Sequence, residues 1–120
     1  MVRALPFRPG DLVVALLQSP RERLWGRLLD LDASGFALRG VDLSPWEEIL
    51  TLVRTGEADQ VALATRFIPM HRLETLYLDE PSSGAPSLSE TFRERTGREA
   101  VDFLGEPPSS TPPSDSRRNP

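Results

Sequence analysis

A Ser-His-Asp arrangement in this 120-residue chain would have to use His71, because the sequence holds one histidine. No Gly-x-Ser-x-Gly elbow accompanies it, and a lone histidine at the corner of two strands reads first as a hydrogen-bonded structural residue. Cysteine is absent, which excludes a thiolate nucleophile, a thiolate metal site and a disulfide framework. Asp30 and Asp32 lie on one side of a strand and could hold a hard cation together with Asp42. They lack the loop spacing of a calcium site, and turn capping accounts for Asp32 better. With no acid, base and nucleophile brought together, the sequence predicts a binding protein rather than an enzyme, with no catalytic residue, cofactor or metal.

Recognition chemistry falls to the arginines and the aromatic rings. The 14 basic side chains are all arginine, against 18 acidic ones, for a net charge of −4. A chain-wide footprint for nucleic acid is therefore missing. Arginine is nonetheless suited to bidentate contact with phosphate and to stacking on bases. Arg21, Arg23 and Arg27 form a local basic group, and Arg66, Arg72 and His71 a second one, so these six are the candidate RNA contacts. Trp25 and Trp46 are too large to be hidden easily in a small core. With Leu88, Phe92, Phe103 and Leu104 they are the candidate anchors for a protein partner.

The elements that must position these residues read as mainly β. Strands are expected over Leu12–Leu17, Leu24–Leu31, Phe36–Val41, Val61–Ile68 and Leu73–Leu78, with Gly26 marking a bend or a close backbone approach. Asp32-Ala33-Ser34-Gly35 is a tight turn, and Pro69 denies a ladder hydrogen bond and forces a corner. Between the third and fourth strands the spacing predicts a helix over 45–55, with Ser44 as N-cap, Pro45 at the first position and Gly56 as the stop. Its apolar face of Trp46, Ile49, Leu50 and Val53 is expected to cover an open end of the strands. Residues 1–80 form the main domain and 81–86 a Pro/Ser/Gly linker. Residues 87–104 form an amphipathic helical segment opened by a Ser87–Glu90 capping box, and 105–120 a disordered tail. The helical segment is expected to dock on a partner or a neighbouring subunit. No apolar run approaches a membrane span, and a cytoplasmic location is the default expectation.

Leu24, Gly26, Leu28, Leu31 and Asp32 match an apolar-x-Gly-x-apolar-x-x-apolar-Asp motif. The stretch Ile68-Pro69-Met70-His71-Arg72-Leu73-Glu74-Thr75-Leu76 matches a second, histidine-containing motif in register and length. On these two motifs the region from Gly10 to Leu78 resembles the Sm-like family of small β-barrels, its Hfq-like branch in particular. The resemblance implies a five-stranded, strongly bent Sm/SH3-like barrel, here with a helix inserted between strands 3 and 4. It also implies a homo-oligomeric ring joined through the fourth and fifth strands, and a uridine-rich RNA site near His71. Where that motif carries lysine and tyrosine, this chain has Met70 and Pro69, so a phosphate-binding cation is lost. Arg23-Leu24-Trp25-Gly26-Arg27 and Asp32-Ala33-Ser34 also resemble the two halves of the cyclic-dinucleotide-binding PilZ signature, but Ala37 replaces its final glycine. Acidity, the absence of lysine and the added helix favour a non-enzymatic, self-associating module that recruits a protein partner. Single-stranded RNA binding is the alternative, and a PilZ-like sensor the minor one.

Overall fold

The computed structural model describes residues 6–105; the tail expected beyond them lies outside the described residues. Five strands, β1 (Leu12–Leu17), β2 (Glu22–Asp32), β3 (Gly35–Asp42), β4 (Ala64–Pro69) and β5 (Leu73–Leu78), form one antiparallel sheet in the order β4-β3-β2-β1-β5. Three α-helices accompany it: α1 (Trp46–Arg54), α2 (Leu88–Thr96) and α3 (Ala100–Leu104).

The continuous apolar run of β1 follows from burial on both faces of the sheet. Val13, Ala15 and Leu17 join Leu24, Leu28, Phe36, Leu38 and Ile68 in one core. Val14 joins Trp25, Val41 and the buried faces of the helices in the other. Flat, the sheet would separate β4 from β5 by four spacings of about 4.8 Å each. The two are nevertheless joined by one 3-10 turn, Met70–Arg72, which advances only about 2 Å per residue. The end of β4 and the start of β5 must therefore lie close together, so the sheet bends at that corner, although no ladder joins the two strands. The turn is tied to both sides: the Met70 amide donates to Ser34 O at 2.9 Å, and Arg72 O accepts from the Gln18 amide at 2.8 Å.

Gly26 is where two strands press closest. It pairs with Gly40 across the β2–β3 ladder, and a Cβ on Gly26 would lie 2.3 Å from the Arg39 carbonyl oxygen and 2.6 Å from Gly40 Cα. The expectation of close backbone approach at Gly26 matches this geometry.

Two expected boundaries are corrected. Ser44 does not cap α1: its amide and hydroxyl are both held by Asp42 Oδ1, at 2.8 and 2.5 Å, so an Asx turn has already engaged the groups a cap would use. Pro45 occupies the N-cap position without a side-chain cap. The fourth strand begins at Ala64 rather than Val61, because residues 58–60 form a 3-10 turn and the β3–β4 ladder starts only at Gly40–Ala64.

The larger correction concerns the C-terminal segment. α2 carries the expected capping box, with Ser87 Oγ accepting from the Glu90 amide and Glu90 Oε1 accepting from the Ser87 amide, and it ends on Gly97 in the left-handed region at φ 80°. It does not stand apart awaiting a partner. Phe92, Ala100, Phe103 and Leu104 are buried in the same core as Trp25, Val41, Ile49 and Leu50. Helix α1 thus packs with α2 and α3 on one face of the sheet, that of Val14, Trp25 and Val41, rather than over an open end of the strands.

Candidate interaction surface

The aromatic residues expected to anchor a partner form the chain's own second core. Trp25 meets Trp46 edge to face at 5.3 Å between centroids, Phe92 lies 5.6 Å from Trp25, and Phe103 5.0 Å from Phe92. Trp25, Phe92 and Leu104 are fully buried and Phe103 nearly so, while Trp46 and Leu88 are half-buried at the margin. As partner anchors the buried four, Trp25, Phe92, Phe103 and Leu104, are corrected, because sequence apolarity alone does not distinguish docking in cis from docking in trans; Trp46 and Leu88 keep part of their surface at the margin.

Asp79, just beyond β5, holds this arrangement. Its Oδ2 accepts from the Trp25 indole Nε1 and from the Ser89 amide, both at 2.9 Å, and its Oδ1 accepts from the Leu88 amide at 2.7 Å. One carboxylate therefore satisfies the buried indole N–H and two of the orphan amides at the α2 N-terminus, where a negative charge is favoured. At the other end of the segment two arginines hold α3. Arg27 and Arg39 are cross-strand partners on β2 and β3. The Arg27 guanidinium donates to Val101 O at 3.2 Å and Arg39 Nε to Leu104 O at 2.8 Å. Two like charges side by side on a sheet are tolerated because both face the carbonyl end of a helix.

The second basic group is also engaged inside the chain. Glu22 Oε1 lies 3.2 Å from Arg66 and 3.5 Å from Arg72. Arg72 further donates to Gln18 O at 3.2 Å and to Pro20 O at 2.6 Å, fastening the β1–β2 turn to the 3-10 corner. His71 is exposed on that corner, and Arg21 and Arg23 are exposed on and beside the β1–β2 turn. The structure thus brings Arg66 and Arg72 together around Glu22, places Arg27 on the opposite face under α3, and leaves His71 exposed on the corner.

The three aspartates considered for a cation serve as local acceptors. Asp30 accepts from the Leu31 amide, and Asp32 from the Ser34 amide and hydroxyl. The Ser34 hydroxyl, then its amide, holds the Asp32 carboxyl below its ordinary range, and Ser44 does the same for Asp42 with help from the charges of Arg66 and Arg23. Among the described residues no group of three His, Cys, Asp or Glu side chains converges on a metal position.

The exposed apolar side chains lie elsewhere. Among the described residues the exposed large apolar side chains are Phe67 on β4 at 60%, Tyr77 on β5 at 45% and Val101 on α3 at 43%, and the two rings lie on the outermost strands of the sheet. Phe67 is paired with Ala37 and Tyr77 with Val14. Val14 belongs to the helix-covered face, and Ala37 lies two residues from Arg39 on that same face, so both rings project from the outer side of the sheet. Neither residue stood out in the sequence, because a strand ring reads as core until the order of the strands is known. Among the described residues no helix is long and apolar enough to cross a membrane. Comparison with family models, with curated proteins and with solved structures yields no significant match.

Proposed function

We propose that this chain is a non-enzymatic protein-interaction module of the Sm/SH3-like small-barrel kind, which self-associates through β4 and β5 and recruits a protein partner. The observation that carries this reading is the location of Phe67 and Tyr77: large aromatic side chains exposed on the two free edges of one sheet. Unpaired edges are usually blunted by lysine, bulges or a covering element. The strand order and the short 3-10 corner between β4 and β5 support the small-barrel assignment. If β4 of one copy lies beside β5 of the next, the two rings emerge on the same face and become cross-strand neighbours. Such head-to-tail contacts generate rings or filaments.

The arginines favour a protein over a polyanion. Arg27, Arg39, Arg66 and Arg72 donate to carbonyl or carboxylate oxygens of the chain itself, so phosphate binding would have to displace existing contacts. A complementation experiment tests the head-to-tail arrangement. Phe67→Glu blocks β4 and leaves β5 intact; Tyr77→Glu does the reverse. Each variant alone is expected to be monomeric, and an equimolar mixture to contain a species of twice the chain mass. A mixture that remains monomeric while the unmodified chain associates overturns the β4–β5 pairing.

A further inference from the structure

The β3–β4 ladder stops at the Gly40–Ala64 pair, although β3 continues to Asp42 and pairs with β2 to its end. Val41 and Asp42 are therefore edge residues on the β4 side. The chain that would have covered them, Val61–Leu63, turns on itself instead, with the Leu63 amide donating to Val61 O at 2.9 Å. A cleft of about 190 Å³ opens at this break, between the end of β3, one side of α1 and the segment after the 3-10 turn. Cofactor and drug-like sites usually occupy about 300–1,000 Å³, so this one has the size of a side chain.

Its floor is apolar, formed by Val41, Ile49, Leu52 and Val61, and its polar rim includes Asp42 and Glu48. Glu48 is exposed, and its side chain makes no ion pair or hydrogen bond among the described residues; its neighbour Glu47 is paired with Arg95 at 2.6 Å. Residues 42–63 carry five acidic side chains, Asp42, Glu47, Glu48, Glu57 and Asp59, and one arginine, Arg54. An apolar hollow, an acidic rim and an unpaired stretch of strand edge thus coincide in one place.

We propose that this cleft is the partner site of the module, and that its occupant is an extended segment of another protein presenting one aliphatic side chain flanked by arginine or lysine. The aliphatic group seats on Leu52 and Val61, the cations face Glu48 and Asp42, and the backbone of the segment continues the ladder that β4 abandons. The proposal rests on the reading of the chain as a protein-interaction module, and it is independent of the edge pairing.

The test uses the full chain and three capped nonapeptides: a leucine between arginine pairs, the same leucine between glutamate pairs, and the arginines with serine in place of leucine. Amide resonances of the ¹⁵N-labelled protein are followed as each peptide is added. The arginine–leucine peptide is expected to shift Val41, Leu52 and Val61 saturably, and the other two much less. Glu48→Arg reverses an exposed charge on α1 and is expected to weaken the affinity about five-fold without changing the sedimentation mass. An unmodified chain that stays monomeric while its cleft still binds the peptide would refute the edge pairing alone. Equal shifts from the glutamate peptide, no cleft shift at millimolar arginine–leucine peptide, or unchanged affinity in Glu48→Arg would overturn the cleft proposal. So would movement of the same resonances in an Arg117→Glu/Arg118→Glu variant without peptide, which would identify the chain's own tail as the occupant, or their movement with protein concentration, which would identify a second copy.

Discussion

Replacing Asp79 with alanine removes three hydrogen bonds at once, from the Trp25 indole and from the Leu88 and Ser89 amides, all between 2.7 and 2.9 Å. Hydrogen bonds to a charged acceptor are each worth about 1.5–3 kcal/mol, and a buried donor left unsatisfied costs about 1–3 kcal/mol. The three do not add. Trp25 is fully buried, so its N–H loses its partner outright. Leu88 and Ser89 are half-buried, so water can reach their amides in part, and Ser87 still caps the same turn. The net loss is therefore about 2–4 kcal/mol. For a domain of this size, with a urea m-value of about 1–1.5 kcal/mol/M, the unfolding midpoint should fall by about 1.3–4 M. Asp79→Asn keeps one acceptor oxygen and should lose about half as much. Urea titration followed by tryptophan fluorescence reads this directly, since Trp25 itself makes the broken contact and Trp46 packs against its ring. A midpoint for Asp79→Ala within 0.5 M of the unmodified chain, a bound of about 0.5 kcal/mol on the same m-value, would refute the reasoning that one carboxylate joins the sheet to the C-terminal helices.

Three further outcomes follow from the packing. Gly26→Val should destabilise by at least about 2 kcal/mol, the scale of overpacking, because its Cβ would collide with the Arg39 carbonyl oxygen; an unchanged melting midpoint would contradict the Gly26–Gly40 contact. Truncation after Glu80 should abolish cooperative thermal unfolding, since Phe92, Phe103 and Leu104 leave the core they share with Trp25 and a single buried Phe→Ala already costs about 3–5 kcal/mol; a cooperative transition in the truncated chain would mean the strands fold without the helices. The Asp42 carboxyl is held below its ordinary value of 3.8, chiefly by Ser44. Its contribution is therefore complete above pH 3.8 and is lost as the pH falls through the lower folded value. Asp42→Asn should flatten that part of the acid-unfolding profile, and an acid limb identical to the unmodified chain's would contradict it.

The strands that read clearly in the sequence were those whose pattern is set locally. β1 is a continuous apolar run between turn residues, β5 lies between a proline corner and the Pro81 linker, and the Ser87–Glu90 box announces α2. Gly26 could be recognised as a point of close approach, but its partner could not. An unbroken ladder from the Asp32–Gly35 turn would place Val41 opposite Gly26; a bulge between Leu28 and Asp30 shifts the register and brings Gly40 there instead. The α1 boundary misled because Ser44-Pro45 is a cap signal that Asp42, two residues earlier, overrides.

The surface was the least legible part. Trp25, Phe92, Phe103 and Leu104 resemble partner anchors until the long-range contact between α2 and the sheet is known. Phe67 and Tyr77 resemble core until the strand order places them at the edges. Glu22 and Asp79, which engage two arginines and a helix N-terminus respectively, carry no sequence signal, since each acts only through residues 40 or more positions away or across a loop.

The sedimentation mass of the unmodified full chain, measured from low to high micromolar concentration, tests the central claim most directly. Self-association through β4 and β5 predicts a mass that is a multiple of 13.3 kDa and that falls to the single-chain value in Phe67→Glu. A mass of 13.3 kDa across the whole concentration range, or an oligomer that Phe67→Glu and Tyr77→Glu leave intact, would contradict it.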